Sequence, residues 1–161
     1  MKTNIRVGSG YDVHQLKKGY DLWIGGIKIE HHKGAVGHSD ADVLLHVICD
    51  ALLGAANLRD IGYHFPDNDP EFKDIDSKIL LKNVMELLTE RNYKVGNVDT
   101  TLCLQAPKIS AYIPQMQDCI SQILEVGTDL ISIKATTTEK LGFVGKEEGI
   151  AAYATVLIYQ E

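Results

Sequence analysis

The sequence predicts an α/β (α+β) fold: a single domain over residues 1–161, with a mixed, mainly four-stranded sheet and helices packed on one face. Three observations predict it. Strand-like and helix-like patterns are interleaved along the chain, which lays helices against a sheet. No repeat, low-complexity stretch or linker divides the sequence. A length of 161 residues suits one core, not two.

The elements follow in order. Asn4 to His14 alternates enough to be a strand with a glycine-loosened middle. Asp21 to Glu30 is two short apolar runs around Gly25-Gly26, a hairpin signal because paired glycines supply the positive φ angles of tight turns. Ser39 to Ala56 reads as a helix capped by Ser39, with Asp40 and Asp42 in its first turn. Val43, Val47, Cys49 or Asp50, and Leu53 form its apolar stripe, and Gly54 ends it. Asn57 to Lys73 is a long loop rich in Asp, Gly and Pro, and such loops are usually functional or disordered. Asp76 to Asn92 is a second helix, capped by Asp76 or Ser77. Lys94 to Leu104 is a strand, and Ile113 to Leu124 a third helix with Pro114 in its first turn. Leu130 to Thr137 and Ala151 to Tyr159 are β-rich.

Composition excludes some function classes. The apolar fraction is 45%, the charged fraction 24% and the net charge -6. That balance argues against a nucleic-acid partner, which needs a cationic surface. No apolar run is long enough for a transmembrane helix, so no membrane partner is expected. Met1 to Ser9 lacks the apolar core of a signal peptide, and no transit segment is evident, which predicts a bacterial-type cytoplasmic protein. Cys49, Cys103 and Cys119 are odd in number and far apart. They read as buried free thiols, not as a disulfide framework.

Asp12-Val13-His14 places two metal-ligand types at i and i+2, on one face of a strand. His46 on the first helix can approach from a second element. One carboxylate and two imidazoles leave a fourth position open, the arrangement of catalytic zinc. On local pattern alone, a histidine such as His46 is more often an ordinary helix residue. Asp42, one turn before it, fits either a surface ion-pair partner or a group that orients the imidazole. His31 and His32 read as solvated loop residues, and His64 is ambiguous.

Two segments suit phosphate. His38-Ser39 lies at the start of the first helix, where free N–H groups favour anions, although a plain Ser cap explains it too. Thr136-Thr137-Thr138-Glu139-Lys140 is a dense polar cluster at a strand end. There Glu139 can hold a hard ion such as magnesium, or the segment can simply start a helix capped by Thr138. Gly145-Lys146 is followed by Glu147, which breaks the Walker A pattern. Gly8-Ser9-Gly10 does not continue as a dinucleotide-binding fingerprint.

The order Gly10-Tyr11-Asp12-Val13-His14, His38-Ser39-Asp40-Ala41-Asp42-Val43 with His46, Asp60-Ile61-Gly62 and Phe65-Pro66-Asp67-Asn68-Asp69-Pro70 resembles the 2-C-methyl-D-erythritol 2,4-cyclodiphosphate synthase family. Gln105-Ala106-Pro107-Lys108, Ile113-Pro114-Gln115-Met116 and Lys134 to Phe143 continue the resemblance, which covers nearly the whole chain.

The resemblance implies a lyase of the non-mevalonate isoprenoid pathway. In its reaction the 2-phosphate of 4-diphosphocytidyl-2-C-methyl-D-erythritol 2-phosphate attacks the β-phosphorus of the same molecule and CMP leaves. It implies zinc on Asp12, His14 and His46, and magnesium or manganese on Glu139. His38 and Thr137 would be catalytic. Asp12, Val13, His14 and His38 would contact the substrate, and Ser39, Asp60, Ile61, Gly62, Phe65, Pro66, Asp67, Asn68 and Asp69 would hold its methylerythritol phosphate end. Leu104, Gln105, Ala106, Pro107, Lys108, Ile109 and Ser110, with Thr136, Thr137 and Thr138, would bind the cytidine part. Glu139, Phe143 and Lys146 complete the implied substrate contacts. The family implies a homotrimer with sites between subunits and a small hydrophobic or isoprenoid diphosphate ligand in a central channel. Where the family often has arginine this chain has Lys146, which keeps the charge but loses the bidentate fork.

Overall fold

The computed structural model describes residues 4–161. The first three positions of the N-terminal stretch read above for a signal segment lie outside the described residues.

The central sheet is formed by β1 (Ile5–Lys18), β4 (Lys33–Val36), β5 (Lys94–Cys103), β6 (Ile131–Thr136) and β7 (Gly149–Tyr159), in the spatial order β4-β1-β7-β5-β6. Only β5 and β6 pair in parallel; the other pairs are antiparallel. The expected mainly four-stranded sheet therefore gains an edge strand, β4, from a stretch read as polar loop. Gly34 allows this: a Cβ there would collide with the backbone carbonyls of Tyr20 and Asp21. The hairpin is as expected, with β2 (Leu22–Ile24) and β3 (Ile27–Ile29) joined at Gly25 and Gly26, whose φ values are 62° and 78°.

Helix α1 (Val43–Ala55) lies on β1 and β7 and α4 (Ile113–Leu124) on β6, while α3 (Ser77–Thr89) packs against both helices. Two short helices, α2 (Ile61–His64) and α5 (Gly142–Gly145), sit in connections. The Asn57 to Lys73 segment is thus partly ordered by α2 and by a 3-10 turn over Pro70–Phe72, each capped by an aspartate, Asp60 and Asp69.

The start of α1 differs from the sequence reading. Asp42, not Ser39, is the cap, because Ala41 takes φ 55° and breaks the helical path before it. The Asp42 carboxylate is fully buried and accepts four backbone N–H groups, from Gly25 (2.9 Å), Gly26 (2.7 Å), Leu44 (3.1 Å) and Leu45 (3.0 Å). It is neither a surface ion-pair partner nor a group orienting an imidazole; it ties the hairpin to the helix. Gly54 lies inside α1, and the left-handed residue beyond the helix is Asn57, at φ 56°.

The glycines of β1 do not loosen it. A Cβ on Gly10 would meet the Val47 carbonyl at 2.5 Å, and one on Gly8 would strike the Ala51 carbonyl, so both let α1 lie directly on the strand backbone. On the opposite sheet face Ile5, Val7, Tyr11, Val13 and Tyr153 are exposed. Tyr11 and Tyr153 are register partners with ring centroids 4.9 Å apart.

All three cysteines are free thiols, but only Cys49 is buried; Cys103 and Cys119 are half-buried. Burial pushes each thiol above its ordinary pKa, which keeps it protonated. Among the described residues no helix is long and apolar enough to cross a membrane.

Candidate functional site

Alternation along β1 turns Asp12 and His14 toward α1, and α1 points His46 back at them. His14 Nε2 lies 3.1 Å from Asp12 Oδ2, His46 Nδ1 lies 3.3 Å from the same oxygen, and the two ring nitrogens are 3.0 Å apart. Three donors sharing one tetrahedral ion with bonds near 2.0–2.1 Å stand about 3.3 Å from each other. The triangle therefore fits a divalent ion with little adjustment, and its residues are a half-buried donor set of the right chemistry.

The surroundings fix each donor. Asp12 Oδ1 accepts the Val13 N–H at 2.8 Å, leaving Oδ2 for the imidazoles. His46 Nε2 lies 2.8 Å from Ser77 Oγ and 3.1 Å from Ser39 Oγ. The Ser77 hydroxyl donates to Asp40 Oδ1, so it accepts from His46 Nε2–H. That places the His46 proton on Nε2 and frees the Nδ1 lone pair toward Asp12 and His14. Burial alone would raise the Asp12 carboxyl, but where the His14 and His46 rings carry protons toward Oδ2 in place of a metal, their hydrogen bonds and charge outweigh burial and hold the group below the ordinary carboxylate range.

The triangle opens into a cavity of about 590 Å³ lined by His38, Ser39, Ile61, Gly62, Phe65, Pro66, Asp67 and Asn68, together with Gly37, Phe72, Ile75 and Leu80. A second cavity, of about 350 Å³, is lined by Leu104, Gln105, Pro107, Lys108, Ile109, Ser110, Ile113, Ala135, Thr136 and Thr137. The two share no lining residue within the chain. The sequence-derived site residues thus fall into two separate halves.

Several expected contacts line neither cavity. Val13 faces the opposite side of β1 and is 43% exposed, so only its backbone is near the donors. Asp60 and Asp69 are occupied as caps, although the Asp69 carbonyl lies 3.3 Å from His38 Nε2. Ala106, Thr138, Glu139, Phe143 and Lys146 also lie outside both linings. Glu139 is exposed at φ 53°, with Oε1 accepting from Thr137 Oγ1 at 3.0 Å. No helix starts at Thr138; its hydroxyl donates instead to the Leu141 carbonyl at 2.7 Å. At the α1 N-terminus beside His38 the Leu44 and Leu45 N–H groups are not free for an anion, because Asp42 already accepts them. His64 is a structural residue, 2.7 Å from the Leu58 carbonyl through Nε2.

Three positions escaped the sequence reading. Asp40 and Ser77 hold the His46 ring, and Asp50, taken for part of an apolar stripe, accepts the Ile61 N–H at 2.8 Å and draws α2 toward the cavity. The available signal was the spacing of His46 and Asp50, four apart on one helix face.

Fold and site together define a class: an α+β protein with three donors fit for a divalent ion at the mouth of a ligand-sized cavity. Comparison with known proteins makes this specific. The sequence model of the YgbB family matches residues 5–159, and the chain belongs to that family. It is 64% identical over 154 residues to the 2-C-methyl-D-erythritol 2,4-cyclodiphosphate synthase of Bacteroides fragilis, covering 96% of this chain and 97% of that one. It is 59% identical over 158 residues to the enzyme of the same name from Porphyromonas gingivalis, covering 98% of each. Among solved structures it is similar to the Plasmodium falciparum IspF complex with CDP (TM-score 0.87, 36% identity, 100% of this chain and 99% of that one). It is also similar to the bifunctional IspDF of Campylobacter jejuni (TM-score 0.95, 39% identity), where it matches 99% of this chain but spans 43% of the longer one.

Proposed function

We propose that this chain is a zinc-dependent cyclodiphosphate synthase, a cyclising phosphorus–oxygen lyase. It converts 4-diphosphocytidyl-2-C-methyl-D-erythritol 2-phosphate into 2-C-methyl-D-erythritol 2,4-cyclodiphosphate and CMP, a step of the non-mevalonate isoprenoid pathway. The observation that carries the reading is the 3.0–3.3 Å triangle of Asp12, His14 and His46 at the mouth of a ligand-sized cavity. Relatives at 64% and 59% identity bear the synthase name.

The nucleophile is already in the substrate, so the protein needs no serine, cysteine or strong base. It must fold the substrate back on itself and offset clustered phosphate charge. Zinc held by Asp12, His14 and His46 would supply Lewis-acid polarisation of a phosphate oxygen, and magnesium or manganese at Glu139 would supply charge neutralisation across the diphosphate. The Asp40–Ser77–His46 chain keeps the donor ring oriented. His38 and Thr137 act as donors toward charge developing on the transferring phosphorus. Ser39, Asp60, Ile61, Gly62 and the Phe65 to Asp69 loop hold the methylerythritol phosphate, and the Leu104 to Ser110 cleft with Thr136 and Thr138 holds the cytidine. Val13 contributes through its backbone, while Phe143 and Lys146 act at the edge.

Residues 1–161 act as one domain that assembles as a homotrimer in the cytoplasm. Two features support assembly. The sheet face bearing Ile5, Val7, Tyr11, Val13 and Tyr153 is apolar and uncovered. The two half-sites share no lining residue within a chain, which suits a site that joins the donors of one copy to the Leu104 to Glu139 half of its neighbour. The same face would line a central channel suited to a small hydrophobic or isoprenoid diphosphate ligand, with Lys146 as the charge.

The test is incubation with the substrate and phosphorus NMR of the products. The cyclic diphosphate with CMP is expected. Linear phosphate products would indicate a zinc hydrolase instead, and unchanged substrate a binding module.

A further inference from the structure

A second set of metal-ligating side chains lies away from the Asp12 centre and shares no residue with it. The donor atoms of His31, His32 and Glu147 all lie within 4.8 Å of one another. His31 and His32 follow β3, and their rings meet edge-on with centroids 4.3 Å apart. Glu147 comes from the turn between α5 and β7, held at φ 56°. Lys33 fastens that turn by donating from Nζ to the Glu147 carbonyl at 2.7 Å.

One atom needs an explanation. His31, read from sequence as solvated, has a side chain only 9% exposed. Its Nε2 is the one buried side-chain nitrogen or oxygen without a hydrogen-bond partner among the described residues. Buried polar groups are nearly always paired, so an orphan implies something unseen. The nearest complement, Glu147 Oε2, is 4.0 Å away, too far for a direct bond and wider than the roughly 3.3 Å between two ligands of one tetrahedral ion, so the turn at Glu147 closes by roughly 0.7 Å to share one. A bridging water would serve His31 and Glu147 but leaves the convergence of His32 without a role.

We propose that His31, His32 and Glu147 form a second site for a divalent ion of the zinc class, pinning the β3–β4 connection to the turn before β7. Two imidazoles and one carboxylate are the donor set such borderline ions favour. The fourth position faces solvent on the His32 side, since His32 is exposed. This inference does not rest on the proposed reaction, and its readout is metal, not activity.

The experiment is a zinc titration of chelator-stripped protein carrying His46→Ala, which disables the first centre. One zinc equivalent per chain is expected to remain, and to disappear when His31→Gln or Glu147→Gln is added. Retention of no zinc by His46→Ala, or retention of the equivalent after His31→Gln, would overturn the proposal. A zinc-edge anomalous map of wild-type crystals guards against misfolded variants. A peak bonded to His31 Nε2 and Glu147 Oε2 supports the site, and density there without anomalous signal refutes it.

Discussion

His14 Nε2 and His46 Nδ1 stand 3.0 Å apart although 32 residues separate them in the chain. The contact exists because α1 lies directly on β1, where Gly8 and Gly10 leave no side chain between helix and strand. The proposed metal centre therefore depends on a packing feature as much as on its ligands.

His46→Ala removes one of three donors but no side chain of the apolar core, since the His46 ring, 12% exposed, lines the cavity. The variant should keep its circular-dichroism spectrum, lose the zinc of this centre, and lose activity by at least about 100-fold, the scale of removing one electrostatic stabiliser. An unfolded spectrum would mean that the metal is structural.

Ser77→Ala cuts the link between Asp40 and the His46 ring. Outer partners of metal ligands typically contribute about 10–100-fold in metal affinity or activity. A zinc-competition assay should show a loss in that range, with Asp40→Asn giving a similar one. Unchanged affinity in both variants would show that the His46 ring is held by other means.

Asp42→Ala leaves four buried backbone N–H groups without an acceptor. At about 1–3 kcal/mol for each unsatisfied buried group, partly relieved by relaxation, the chain should lose at least about 3 kcal/mol in urea unfolding. A loss below about 1 kcal/mol would mean that the hairpin and α1 do not depend on this carboxylate.

Gly10→Ala puts a Cβ 2.5 Å from the Val47 carbonyl and 3.1 Å from Val47 Cγ2. The helix must lift, at a cost of roughly 1–3 kcal/mol. Because Asp12 and His46 ride on the two displaced elements, zinc affinity should fall along with thermal stability. Stability lost with zinc affinity intact would separate the packing from the site.

Neither His46→Ala nor Glu139→Gln should be active alone, but refolding them together as an equal mixture should restore activity. If each site takes its zinc half from one copy and its Glu139 half from the next, random assembly gives roughly one quarter of sites intact. Activity that stays at the level of the separate variants would place both halves within one chain.

Much of this was legible in the sequence, for identifiable reasons. The alternation of Asp12 and His14 and the periodicity of α3 and α4 are local patterns, and the structure follows them. Errors gathered where tertiary contacts override local preference. Ser39 looked like a cap, but Asp42 alone can reach both the helix and the Gly25-Gly26 turn. The segment Lys33–Val36 is short and holds no run of β-branched residues, so β4 is visible only once β1 offers an edge. His31 looked solvated because its neighbours are polar, yet the turn at Glu147, far along the chain, covers it. Asp40, Ser77 and Asp50 serve the site through contacts between elements that no local pattern encodes.

The central claim is that a metal on Asp12, His14 and His46 works on a nucleotide substrate held between two copies of the chain. A crystal structure with zinc and a cytidine nucleotide tests it most directly. The account predicts anomalous density bonded to Asp12 Oδ2, His14 Nε2 and His46 Nδ1 of one copy, with the cytosine in the Leu104 to Ser110 cleft of its neighbour and the diphosphate between them. A nucleotide bound wholly within one chain, or no zinc at the triangle, would contradict it.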